Sequence, residues 1–136
     1  MGIMNVSINT EADVIVARME ARQMAKQMGF GTIDQARISL AASELARLAC
    51  NTTNQTSQLL ISGTDQDGQP GMQVVCSVDM SSPSIEDQSP PSESNLLAEQ
   101  LKFRRGLASV SRLVDESVLE LNDNGSASVT LIKWSN

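Results

Sequence analysis

Two groups of residues in the sequence have the chemistry of a functional site. One is Glu44, a carboxylate within a predicted helix that could act as a general base towards water or a hydroxyl group. The other is a basic cluster that ends at a glycine, formed by Lys102, Arg104, Arg105 and Gly106. Such a cluster can bind an anion, contact an acidic protein surface or stay in solvent. The residues alone leave these three interpretations open.

The composition excludes several kinds of site. The chain contains no histidine, which removes histidine-based catalysis and most zinc sites. Its two cysteines, Cys50 and Cys76, are far apart and stand in apolar surroundings, so we expect free thiols in a reducing cytoplasm. We expect no membrane span and no signal peptide, because no apolar run reaches about 18 residues and no basic stretch precedes an apolar one.

The distribution of charged residues along the chain indicates which kinds of partner it can attract. The net charge is −6, and residues 51–100 contain acidic residues but neither lysine nor arginine. This distribution argues against long-range attraction to nucleic acid.

The length of 136 residues predicts one domain, and the hydrophobic pattern predicts its elements. One helix is predicted at 11–28 with Thr10 as its N-cap, and a second begins at Thr32 with Gln35 completing a capping box. Helical spacing returns at 96–101 and again at 107–114. Strands are predicted at 6–8, 59–64, 72–80, 118–121 and 126–134, the last four as two hairpins.

The order of these elements predicts an α+β fold, a two-layer sandwich of about three helices on a mixed or antiparallel sheet. Residues 81–95 are rich in serine and proline, so we expect a flexible surface loop there.

Motifs along nearly the whole chain resemble the RsbT-type branch of the anti-sigma-factor serine/threonine kinases. They lie, in the order of that family, at 15–18, 25–30, 34–38, 43–47, 110–116 and 129–134. The resemblance implies the GHKL (Bergerat) ATPase fold of histidine-kinase-like domains. It also implies phosphorylation of a STAS-domain partner, or docking on partners that switch a sigma factor or a phosphatase.

The resemblance assigns Glu44 as the catalytic residue, followed after Arg47 by an asparagine that holds Mg²⁺ on ATP. In this chain that position is Leu48. Leucine has no oxygen to offer to a cation that requires oxygen ligands, and Leu48 fits the apolar stripe of the helix. We therefore expect no metal site.

Two further nucleotide motifs of the family are also incomplete. Asp79 matches the aspartate that binds adenine, but no glycine follows it before Pro83. The phosphate-binding glycine loop expected before the last helix matches only at Gly106, beside cations that the helix dipole would disfavour at a helix start. These residues are predicted to be vestigial nucleotide-binding residues: Asp79, Gly106, Lys102, Arg104 and Arg105.

Three functions follow as hypotheses. The first is a regulatory module without a cofactor that docks on a STAS-domain anti-anti-sigma-like protein, a phosphatase or a sigma factor. The second is an active, divergent serine/threonine kinase that uses ATP and Mg²⁺ with Glu44, Asp79 and the basic cluster. The third is a homodimer that buries methionine-rich faces.

Overall fold

The computed structural model describes residues 2–52, 56–79, 93–122 and 125–135, with residues 93–100 described by their backbone alone. The elements in chain order are β1 (Met4–Ile8), α1 (Glu11–Gln27), α2 (Thr32–Thr52), β2 (Ser57–Gln66), β3 (Gln69–Asp79), α3 (Glu93–Ser111), β4 (Glu116–Leu121) and β5 (Ser126–Trp134).

The five strands form one antiparallel sheet in the order β1-β2-β3-β5-β4. Along β5, alternate residues from Ala127 to Lys133 are buried, which shows that the helices cover one face of the sheet. The predicted α+β two-layer architecture is confirmed, with an antiparallel sheet.

The start of α1 follows the prediction. Thr10 is the N-cap, and the Asp13 carboxylate accepts the backbone N–H groups of Asn9 at 2.8 Å and Thr10 at 3.0 Å. These hydrogen bonds hold the pKa of Asp13 below its ordinary value, because they stabilise the ionised form.

The start of α2 differs from the prediction. The backbone N–H of Gln35 donates to the carbonyl of Gly31 at 2.9 Å, so the helix is capped by Gly31 and Thr32 lies inside it. The predicted capping box is therefore wrong. The Gln35 side chain instead donates to the carbonyl of Phe30 at 2.7 Å, which fixes the α1–α2 connection.

The third helix is continuous where the sequence predicted an interruption. Residues 93–95 begin α3 and are not part of a loop, while residues 81–92 of the predicted loop lie outside the described residues. Phe103, Leu107 and Val110 follow one another at helical spacing and are all buried. Burial of these side chains outweighs the roughly 1 kcal/mol that a helical glycine costs, so the helix runs through Gly106 to Ser111.

Both hairpins form where the sequence predicted them. Asp67 and Gly68 connect β2 to β3 with φ of 54° and 86°, the conformation of a type I′ turn. Asp65 accepts the N–H of Gly68 at 3.1 Å. In the second hairpin Asn122 and Gly125 flank the turn, and the predicted residues 123–124 lie outside the described residues.

Both cysteines are free thiols, as the sequence indicated. Cys76 is buried on β3, and burial raises the pKa of its thiol from 9.0 to about 12. Cys50 is half-buried at the end of α2, where its Sγ donates to the carbonyl of Asn9 at 3.6 Å. No helix among the described residues is long and apolar enough to cross a bilayer.

We expect a thiol reagent at about pH 8 to modify Cys50 in the folded chain and Cys76 only after unfolding, because the reactive species is the thiolate. The Cys50→Ser variant should therefore not react until denatured. As the pH rises above 9, the thiol of Cys76 ionises in the unfolded chain but stays protonated in the folded chain. The free energy of unfolding should therefore fall as the pH rises from 9 towards about 12, because ionisation favours the unfolded chain. Rapid labelling of native Cys50→Ser would contradict this.

Candidate functional site

The C-terminal half of α2 presents Glu44 and Arg47 on neighbouring turns. Arg47 Nη1 donates to Glu44 Oε1 at 2.8 Å, and Arg47 Nε lies 3.5 Å from Glu11 Oε2 on α1. The Glu44 side chain is 41% exposed. One oxygen of the predicted catalytic carboxylate is thus already paired with a guanidinium, which would compete with a substrate hydroxyl for it.

Leu48 and Gly106 are in direct contact across the α2–α3 interface. A Cβ atom placed on Gly106 would lie 2.6 Å from Cδ1 and 3.0 Å from Cδ2 of Leu48. Both distances are too short for unshifted carbon atoms, so the glycine allows the leucine side chain to lie directly against the α3 backbone. The two positions that the family resemblance assigned to Mg²⁺ and phosphate are occupied by one packing contact.

The remaining space at this position is small. A cleft of about 160 Å³ lies between α2 and α3, and its lining residues are Glu44, Arg47, Leu48, Asn51, Gly106 and Val110. Small-molecule sites have volumes of roughly 300–1,000 Å³. The cleft formed by the described residues is smaller than this range, and its Glu44 and Asn51 could bind a water molecule or a partner hydroxyl.

Asp79 does not line this cleft. It is the last residue of β3, it is half-buried, and it lies opposite Ser126 of β5 in the sheet register. The residues that follow it, 80–92, lie outside the described residues. The assignment of Asp79 to adenine binding stays a prediction.

The basic cluster lies in the middle of α3 and not at a helix start. The predicted glycine loop at Lys102–Gly106 is therefore wrong in its conformation, and the helix dipole does not disfavour these cations. Lys102, Arg104 and Arg105 are exposed, and none of them lines the α2–α3 cleft. Arg104 lines a different groove, between α3 and β4. The vestigial nucleotide-binding role of the cluster stays a prediction.

Sequence reasoning missed a buried charge cluster around Lys133. Its side chain is 3% exposed, and Nζ lies 3.4 Å from Asp34 Oδ1 and 3.2 Å from Asp115 Oδ2. The burial of Lys133 could have been predicted from its position, because Lys133 continues the alternation of buried residues along β5. Within the described part of the chain, no group of three or more potential ligands is placed to hold a metal ion.

Comparison with solved structures finds a similar fold, whereas no family model matches the chain. Its structure is similar to a chain in the crystal structure of the SiaB–SiaC complex from Pseudomonas aeruginosa, with a TM-score of 0.55 and 14% identity over 98% of this chain and 89% of that chain. This likeness concerns the fold alone.

The sequence comparison is stronger. The serine/threonine-protein kinase RsbT of Bacillus subtilis is 34% identical over 135 residues, which cover 95% of this chain and 94% of the relative. The motifs quoted above are therefore parts of an end-to-end similarity, and the chain belongs to the RsbT family of serine/threonine-protein kinases.

Proposed function

We propose that this chain is a cytoplasmic partner-switching regulator with a GHKL-type fold, which acts by docking on another protein and binds ATP weakly or not at all. The partner is a STAS-domain protein, a phosphatase or a sigma factor. The observation that carries the proposal is the contact of Leu48 with Gly106, which fills the position at which the family resemblance implies Mg²⁺ and phosphate.

The backbone of α3 supports the same conclusion. Glycine-rich phosphate loops bind anions because their backbone N–H groups are free. The N–H groups around Gly106 lie inside a continuous helix, where each is used in a hydrogen bond to the preceding turn. Loss of several phosphate contacts, at about 1–3 kcal/mol each, would weaken a micromolar affinity to the millimolar range or beyond.

The test is a calorimetric titration of the chain with ATP and Mg²⁺, together with thermal unfolding at millimolar nucleotide. We expect no heat of binding and no rise in the midpoint, because only a ligand that binds the folded state stabilises it. The matched variant is Leu48→Asn. It supplies the side-chain oxygen that the family motif has at this position but leaves the α3 backbone unchanged, so we expect it to bind ATP and Mg²⁺ weakly at most. Tight binding by the unmodified chain would overturn the proposal.

The alternative is an active, divergent serine/threonine kinase, and one observation favours it. Asn51 lines the same cleft as Glu44, so an amide oxygen is present about one turn beyond Leu48. This alternative expects phosphate transfer to a serine of a STAS-domain protein, lost in Glu44→Ala and reduced in Asn51→Leu. We expect no transfer, while a stable complex with the unphosphorylated partner should still form.

A further inference from the structure

A second concave site lies on the opposite side of α3 from the α2–α3 cleft. It is a groove of about 270 Å³ between α3 and β4, the strand at one edge of the sheet. Leu107, Leu119 and Val129 contribute apolar surface to it, and Val129 is only 1% exposed. The groove therefore reaches down to the hydrophobic core at the sheet edge.

Polar groups are placed at the two ends of this groove. Arg104 lines it on the N-terminal side of Leu107. On the C-terminal side, the hydroxyl groups of Ser111 and Ser117 lie 2.9 Å apart and join α3 to β4. An occupant would thus meet an apolar centre with a cation at one end and hydroxyl groups at the other.

The outward face of α3 extends the groove. Ala108 lines the groove and is exposed, and the spacing of Arg104, Ala108 and Arg112 at i, i+4 and i+8 places them on one side of the helix. Leu101 lies on the same side and is 55% exposed. A small residue between two arginines leaves room for a second helix to approach closely.

No ion pair joins the arginines of α3 to another residue that the structure describes. Among the residues that the structure describes, Arg104, Arg105 and Arg112 form no ion pair, whereas Arg47 and Lys133 do. Of these exposed arginines, Arg104 lines the apolar groove and Arg112 lies on the same side of the helix, so they are complementary to carboxylates that flank aliphatic side chains.

We propose that the groove between α3 and β4 binds an acidic amphipathic helix of a partner protein. Its aliphatic residues enter the groove over Leu107 and Leu119, and its carboxylates pair with the arginines of α3. The proposal rests on the proposed docking function and names the surface and the chemistry of the partner.

The charges of the chain argue against two other occupants. An acidic strand added to the edge of β4 would lie beside Glu116 and Glu120, which repel it. If a second copy of this chain approached through its α1, the Arg18, Arg22 and Lys26 side chains would be repelled by the arginines of α3.

The test uses a displayed library of amphipathic helices with randomised surface positions, selected on the full chain and counter-selected on Ala108→Arg. An enriched peptide is then synthesised with a fluorophore, and its affinity is measured by fluorescence anisotropy. We expect enriched peptides to combine leucine-type residues with glutamate or aspartate. Their affinity should fall at least about tenfold for Arg104→Glu/Arg112→Glu, and it should fall with rising salt.

Arg37→Glu is the matched control, because Arg37 is an exposed cation on α2 and its reversal changes the net charge without touching the groove. It should leave the affinity within about twofold, and circular dichroism should show all variants folded. The proposal is overturned if no peptide is enriched, if the enriched peptides lack acidic residues, or if Ala108→Arg binds them equally well. This experiment contains no nucleotide, so its outcome does not depend on whether the chain binds ATP. ATP binding by the chain would contradict the proposed loss of nucleotide affinity but would not contradict the assignment of the groove.

Discussion

Replacement of Lys133 by methionine is expected to lower the free energy of unfolding by about 3–5 kcal/mol. Lys133 is almost completely buried, and its ammonium group lies between Asp34 on α2 and Asp115 before β4. The Asp34 side chain is only 13% exposed. Removal of the cation takes a favourable charge interaction away from this poorly solvated carboxylate, and the loss of that interaction dominates the cost.

The ammonium group also connects three separate parts of the chain. It donates to the carbonyl of Trp134 at 3.3 Å, and the Asp115 carboxylate in turn accepts the N–H of Trp134 at 2.7 Å. The start of α2, the end of β5 and the approach to β4 are thereby held together. We expect the cost to appear as a lower urea midpoint with an unchanged slope, since the native fold remains the same.

The control is the double variant Asp34→Asn/Lys133→Met. If the charge of the Asp34 carboxylate causes the instability of Lys133→Met, neutralising it should recover a large share of the loss, and a double-mutant cycle measures that share. A double variant no more stable than Lys133→Met would assign the cost to packing alone. A single variant within about 0.5 kcal/mol of the original chain would contradict the importance of the cluster.

Replacement of Gly106 by leucine is expected to destabilise the chain by up to about 2 kcal/mol, even though leucine is the better helix former. Replacing glycine by a better helix former stabilises the helix by roughly 1 kcal/mol, while overpacking a close interface costs about 1–3 kcal/mol. The space beside Gly106 is already filled by the methyl groups of Leu48, so a larger side chain must separate α2 from α3.

The matched variant is Leu48→Ala/Gly106→Leu, in which the side chain is moved from one helix to the other. We expect the double variant to be more stable than the sum of the two single changes, as measured by urea unfolding followed by circular dichroism. Additive effects would show that the two residues do not share one space. If the Gly106→Leu single variant were more stable than the original chain, the α2–α3 interface would be able to accommodate the larger side chain at little cost.

The elements of the fold were largely predictable because their signals are local. The Asp67–Gly68 turn accepts positive φ at both positions, which specifies a tight hairpin whatever surrounds it. The Thr10 cap depends only on residues within one helical turn. The start of α2 was misassigned by one residue, since Gly31 and Thr32 are both acceptable caps and the neighbouring Phe30 carbonyl decided between them.

The candidate site was predictable in part. The family resemblance assigned Glu44, Leu48 and Gly106 to one site, and the structure places them around one cleft. It does not bring Arg104 into that cleft, because α3 continues through Gly106 and turns Arg104 towards β4. In a sequence, a glycine followed by an apolar repeat is compatible with two structures. The glycine can belong to a loop before a helix, or it can lie inside the helix and allow a close contact with a neighbour.

The sequence by itself determined the type and order of the elements, the family and the departure of Leu48 from its motif, because these depend on residue identity and short-range spacing. Only the tertiary structure decided that Gly106 packs against Leu48, that Lys133 is buried between two carboxylates, and that an apolar groove lies beside the arginines of α3. The physical reason is that the free energy of a glycine, a buried charge or an exposed cation depends on the groups within a few ångströms. In this chain those groups come from segments far apart in the sequence.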